Sequence, residues 1–176
     1  MPKIIENIRE RAIEEAGKEL LENGYADLTI RRIAGKLGIG LGTIYNYFPS
    51  KEYLVASVML EDWQKLAEEF EESHSGQPAP EVLAGLFGMV HDFSLRYAPA
   101  WKEYEEHGSS RSMIGRYHSR LVEQLSGWIR QALPSDQDMR EPYLVNFLAE
   151  IILRFGSEPD CSYEMIEPAV VKLLRS

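Results

Sequence analysis

The stretch Leu41-Gly42-Thr43-Ile44-Tyr45-Asn46-Tyr47 places small and hydrogen-bonding side chains in a row with no acidic residue among them. With Ile44 turned inward, such a row suits a groove lined by phosphate oxygens and base edges, where one carboxylate would be repelled. Gly42 lets backbone approach backbone. Arg31 on one side and Lys51 on the other can straddle the groove, each pairing with a phosphate, while helix N-termini add free amides and a positive dipole end. For Tyr45 and Tyr47 the alternative is packing under neighbouring helices, and the reading adopted combines the two, with ring packed and hydroxyl toward phosphate. Other chemistries find little support. There is no Ser/His/Asp spacing, no glycine-rich phosphate loop and no metal cluster, so neither an enzyme nor a cofactor nor a metal is expected. Glu103 and His107 stand four apart, yet two ligands do not make a metal site, and surface pairing is the plainer reading. His74, His91 and His118 are dispersed, and the single Cys161 excludes an intrachain disulfide.

Short helices must hold that row in place. Residues 4–21 carry Ile4, Ile5, Ile8, Ala12, Ile13, Ala16, Leu20 and Leu21 at three- and four-residue steps, the stripe of an amphipathic helix that Gly24 ends. Thr29 can cap a second helix in which Ile30, Ile33, Ala34 and Leu37 share a face, and Gly38 supplies the left-handed backbone that stops it. A third helix follows Gly40 with Ile44 and Phe48 inward. Pro49 forbids its continuation, and Ser50 caps the next. A helix-turn-helix needs a small residue at the helix crossing, a glycine in the turn and apolar residues locking the second helix on the first; Ala34, Gly38 and the set Ile33, Leu37, Ile39 and Ile44 supply them.

The remainder reads as longer helices. Leu54, Val58, Trp63, Leu66 and Phe70 mark one from Lys51 to about Glu72, and a loop rich in Ser, Gly and Pro follows it. Val82, Leu83, Leu86, Phe87, Val90, Phe93 and Tyr97 mark another, which Pro99 ends or kinks. Further helices cover residues 112–133, the segment Tyr143 to Phe155, and a last one carrying Met165, Ile166, Ala169, Val170, Leu173 and Leu174. No segment alternates with a period of two, so the expected class is all-α, with about nine helices. The division expected is 1–50 for the helix-turn-helix and 51–176 for a helical bundle, with the helix 51–72 connecting them.

A net charge of −9 and a pI near 5.0 seem at odds with a polyanionic partner. The average conceals a split: residues 1–55 hold eight Lys/Arg against eight Asp/Glu, and residues 24–51 hold Arg31, Arg32, Lys36 and Lys51 against Asp27 alone, a local +3. A small basic surface on an acidic body is the expectation. No apolar run reaches the ~20 residues of a membrane span, and the chain is expected to be cytoplasmic.

The run Gly42-Thr43-Ile44-Tyr45-Asn46-Tyr47-Phe48 followed by Lys51-Glu52 resembles the DNA-binding domain of the TetR family of regulators, and the resemblance covers about residues 8–55. It implies an all-helical homodimer with an N-terminal three-helix DNA-binding domain, a connecting fourth helix and a C-terminal bundle that binds an inducer. It further implies DNA contacts from Thr29 and Arg31, from Leu41, Gly42, Thr43, Tyr45 and Tyr47, and from Lys51 to a phosphate; Asn46 joins them by its place on the same face. The family commonly has a capping serine where this chain has Gly40. Leu41 replaces a frequently polar residue, so apolar contact with a thymine methyl is expected there.

Trp63, Phe87, Phe93, Tyr97, Trp101, Tyr104, Tyr117 and Trp128 are enough aromatic surface to line a pocket for a small hydrophobic or aromatic effector, although ordinary core is the default for each. Glu103, Glu106 and Asp92 would bias such a pocket toward a cation, with solvated surface charge as the alternative. The surplus apolar faces carrying Phe147, Ile151, Phe155, Val170 and Leu174 suggest pairing of two copies, with a larger monomer core as the alternative. The expected function is a ligand-responsive repressor on a pseudo-palindromic operator. The rivals are an activator and a helical protein-interaction module that keeps the helix-turn-helix as a scaffold.

Overall fold

The computed structural model describes residues 7–106, 111–133 and 142–175, with side chains except at 101–106, 111–117, 142 and 175. Among the described residues there are eight helices and no strand: α1 (Ile8–Asp27), α2 (Ile30–Leu37), α3 (Leu41–Tyr47), α4 (Lys51–His74), α5 (Ala79–Glu106), α6 (Arg111–Ala132), α7 (Pro142–Gly156) and α8 (Tyr163–Arg175). The all-α expectation holds, with eight helices rather than about nine. Pro99 does not end its helix, because α5 runs through it to Glu106. A proline removes one N–H donor and crowds the preceding turn, which the rest of a 28-residue helix absorbs here. Gly24 does interrupt α1, with φ 82° and ψ 174°, before a last helical turn reaches Asp27.

The described residues fall into two compact units, one within Met1–Lys65 and Arg96–Ser109, the other within Leu66–Leu95 and Ser110–Ser176; α4 and α5 each contribute to both. In the first unit α1 packs on α2 and α2 on α3. The inward stripe of the sequence is their core: Ala12, Ala16, Leu28, Ile33, Ile44, Phe48 and Leu54 are almost wholly excluded from solvent. Each large aliphatic side chain so buried contributes roughly 1.5–3 kcal/mol. Gly17 brings α1 close to α4, since a Cβ there would lie 3.4 Å from Val58 Cγ1.

In the second unit α6 packs along α7 around Leu125, Ile129, Leu148 and Ile152. Ser126 donates to Asn146 Oδ1 at 2.9 Å across that contact. Gly156 admits α5, because a Cβ there would stand 2.8 Å from Val90 Cγ1. Beside it, the His91 Nδ1 hydrogen bonds to the Gly156 carbonyl at 3.1 Å.

Candidate nucleic-acid interface

Local chemistry sets where α2 and α3 begin and end. Thr29 takes extended backbone, and its Oγ1 accepts from the Arg32 amide at 3.1 Å, satisfying a donor the helix itself leaves open. At the other end Gly38 adopts φ 68°, ψ 30°, a left-handed conformation that costs an L side chain roughly 1–2 kcal/mol. The chain reverses there, with the Ile39 amide donating to the Ala34 carbonyl at 3.0 Å. Gly40 then starts α3 with no side-chain cap, so the expected departure at this position is realised in the structure. Phe48 turns extended before Pro49, and Ser50 Oγ accepts from the Tyr53 amide at 3.2 Å to open α4.

Ile44 is the single buried residue within α3. Gly42 and Asn46 are exposed, Leu41 and Thr43 half-buried, and Tyr45 and Tyr47 are 47% and 42% exposed. These six therefore share an outward surface, with Thr29 and Arg31 exposed at the start of α2. Lys51 is more anchored than its sequence position implies. Its Nζ lies 3.9 Å from the centre of the Tyr25 ring and donates to the Ala26 carbonyl at 3.4 Å. Next to it Glu52 accepts from the Tyr25 hydroxyl at 3.4 Å. Hydrogen bonds from Ser50, from its own amide and from Tyr25 hold the Glu52 carboxyl below its ordinary range.

The basic surface needs correcting. Of the four cations counted over residues 24–51, Arg32 and Lys36 point back to α1: Arg32 Nη2 lies 2.8 Å from Glu19 Oε1, and Lys36 Nζ lies 2.7 Å from both Glu19 Oε2 and Glu15 Oε1. Asn23 donates to Glu19 at 2.8 Å as well. The Glu19 side chain has no solvent exposure. Lys36 and Arg32 hold its carboxyl below the ordinary value against the opposing pull of burial, and the two glutamates raise Lys36 in turn. Arg31 is exposed and forms no ion pair among the described residues. Counting charges along the sequence missed this because the two neutralising carboxylates belong to a different helix. Glu15 and Glu19 stand four apart, on one face of α1, and that spacing was the available signal.

The profile of bacterial regulatory proteins of the tetR family matches residues 12–58. Three mycobacterial transcriptional regulators of uncharacterised role are 39% identical over 51 residues, 29% of this chain, and the match spans only 24% of their length. The HTH-type transcriptional regulator SAR2658 of Staphylococcus aureus is 35% identical over 156 residues, 86% of this chain and 81% of that protein. The chain belongs to the TetR family. Its fold is shared with the transcriptional regulator SCO7518 of Streptomyces coelicolor (TM-score 0.68, 16% identity, 96% of this chain and 99% of that one). A Saccharomonospora viridis regulator solved with choline shares it too (TM-score 0.56, 21% identity, 95% of each chain).

In this TetR-family chain the eight aromatic residues expected around an effector are divided. Trp63 and Tyr97 are buried in the first unit, where the Tyr97 hydroxyl donates to Asp62 Oδ2 at 3.1 Å and Arg96 pairs with the same oxygen at 2.6 Å. Burial and the Asp62 charge push the Tyr97 phenol well above its ordinary value. Phe87 and Trp128 are buried in the second unit, and Phe93 is half-buried there. The side chains of Trp101, Tyr104 and Tyr117, with Glu103, Glu106 and His107, lie outside the described residues. Trp128 borders a cleft of about 60 Å³ with Phe70, His74, Val82 and Gln131, room for about two waters against the ~300 Å³ or more of typical ligand sites. Its ring packs 5.1 Å from that of Phe70, on which His74 stacks at 4.2 Å.

The residues proposed for pairing also differ among themselves. Phe147 and Phe155 are 53% and 42% exposed, and Ile151 and Leu174 are half-buried. Val170 is wholly buried within the chain, so it serves the second unit's own core and offers no surface. Tyr143 and Met165, both strongly exposed on α7 and α8, are apolar surface that the sequence reading did not pick out.

Proposed function

We propose that this chain is a repressor that binds a pseudo-palindromic operator as a homodimer and leaves it when a small hydrophobic or aromatic effector binds the helical bundle. The observation that carries the reading is the outward face of α3. Ile44 is the one buried residue of its seven, none is acidic, and Arg31 stands exposed beside them. Such a face fits the major groove, where Thr43, Asn46 and the tyrosine hydroxyls meet base edges and phosphates while Arg31 and Lys51 grip the backbone. Two such faces about 34–36 Å apart read successive turns of duplex. The exposed Phe147 and Phe155 support pairing of two copies, and the choline complex of the S. viridis neighbour supports a small organic effector. Binding that favours one spacing of the two reading heads then sets the release of DNA.

The test is a gel shift on the duplex upstream of the chain's own gene. Arg31→Ala and Lys51→Ala should weaken binding across all sequences, and Thr43→Ala should narrow the gap between operator and unrelated duplex. Unchanged operator affinity in all three variants would refute the assignment.

A further inference from the structure

We infer that Glu19, with Glu15 beside it, withdraws Arg32 and Lys36 from nucleic acid, so that Arg31 is the one cation of α2 that pairs with phosphate. This rests on the DNA-binding reading above and sharpens it to the level of single charges.

The three cations of α2 differ in direction. Arg32 and Lys36 stand four residues apart and face α1, whereas Arg31 is turned away by about 100° of helix from Arg32 and about 140° from Lys36. The Glu19 carboxylate meets Arg32 at 2.8 Å, Lys36 at 2.7 Å and Asn23 at 2.8 Å, with no exposure to water. Lys36 is shared with Glu15 at 2.7 Å. Two carboxylates and two cations thus form a neutral cluster. If Arg32 or Lys36 swung out to a phosphate, the carboxylate sealed from water would lose one of its two charged partners, and weakening the compensation of a buried charge is costly. A phosphate on the surface offers a weaker return, because water and counterions already screen it. Arg31 gives up nothing comparable, since it forms no ion pair among the described residues. The device also keeps the reading head from becoming a general polyanion binder, since half of the local positive charge is answered within the fold.

Salt dependence of binding reads this directly. Each cation seated on phosphate contributes about 0.9 to the slope of log affinity against log salt. The full-length protein is titrated into a mixed-sequence DNA duplex between 50 and 200 mM salt, with folding of each variant followed by circular dichroism. Arg31→Ala should flatten the slope by about 0.9 per protomer, so that for the proposed dimer affinity falls about 12-fold less over that range than for the parent. Arg32→Ala and Lys36→Ala should lower the melting temperature and leave the slope unchanged. Each of these keeps one cation on Glu19, so the reading does not depend on a variant that loses the whole cluster. Glu19→Gln, where it folds, should steepen the slope. Flattening by Arg32→Ala or Lys36→Ala as large as that of Arg31→Ala overturns the inference while leaving the DNA-binding reading intact. Absence of salt-dependent binding by the parent protein overturns both.

Discussion

Gly42→Ala separates what α3 does for the fold from what it does for DNA. A Cβ built at Gly42 meets nothing within 4 Å, so the substitution brings no clash inside the protein. Glycine in a helix is less stable than alanine by roughly 0.5–1 kcal/mol, and near the first turn the gain should lie at the lower end, about 0.5 kcal/mol. For a chain of this size that is a rise in Tm of about 1–2 °C. The same methyl would stand on the exposed face of α3, where Gly42 is expected to let the DNA backbone come close. Displacing even one charge-assisted hydrogen bond there removes about 1.5 kcal/mol, roughly a tenfold rise in Kd. Calorimetric melting and fluorescence anisotropy with an operator duplex measure the two effects on one sample. A higher Tm with unchanged Kd would show that the backbone of α3 does not approach DNA at residue 42. A lower Tm would refute the open surroundings assigned to it.

Acid should weaken the first unit through Glu19 and Glu52, whose carboxyls are held below the ordinary value of 4.5. For groups depressed by folding, the stabilisation is complete above that value and fades as the pH falls through the lowered one. Melting curves between pH 7 and pH 3 should therefore show the gap between the parent and Glu19→Gln closing with acid, and a constant gap would exclude this linkage. Tyr97→Phe removes a hydroxyl that donates to the Asp62 carboxylate from a nearly sealed position. A hydrogen bond to a charged group is worth about 1.5–3 kcal/mol, and with Arg96 still on Asp62 the lower figure is expected in urea unfolding. A loss under about 0.5 kcal/mol would place the stability of that contact elsewhere. Phe147→Glu on the exposed face of α7 should convert the proposed dimer to a monomer in light scattering after gel filtration. An unchanged mass would remove α7 from the pairing surface.

The reading head was legible from sequence because its determinants are local. Thr29, Gly38, Pro49 and Ser50 each act within a few residues of themselves, through a cap, a left-handed turn or a missing N–H, and the apolar stripe from Ala12 to Ile44 repeats at helical spacing. What escaped is tertiary. The partners of Arg32 and Lys36 lie on another helix, so summing charge along the chain counted two cations that the fold neutralises. Pro99 reads as an end or a kink by its own chemistry, and the helix continues through it to Glu106. Aromatic content could not assign Trp63 and Tyr97 to one unit and Phe87 and Trp128 to the other. Nor could periodicity tell Val170, sealed within its own chain, from Phe147 beside solvent.

The single buried side chain of α3 has an evolutionary consequence. Stability there is vested chiefly in Ile44, with Phe48 just beyond, while Tyr45, Asn46 and Tyr47 are exposed and Thr43 is half-buried. Changes at the exposed Tyr45 and Asn46 should then cost the fold little, so that, on the proposed function, a lineage can drift through many reading surfaces without passing through unfolded intermediates. Target choice and structural integrity become separately heritable traits. A library randomised at Tyr45 and Asn46 should consist mostly of folded proteins that differ in the sequence they select.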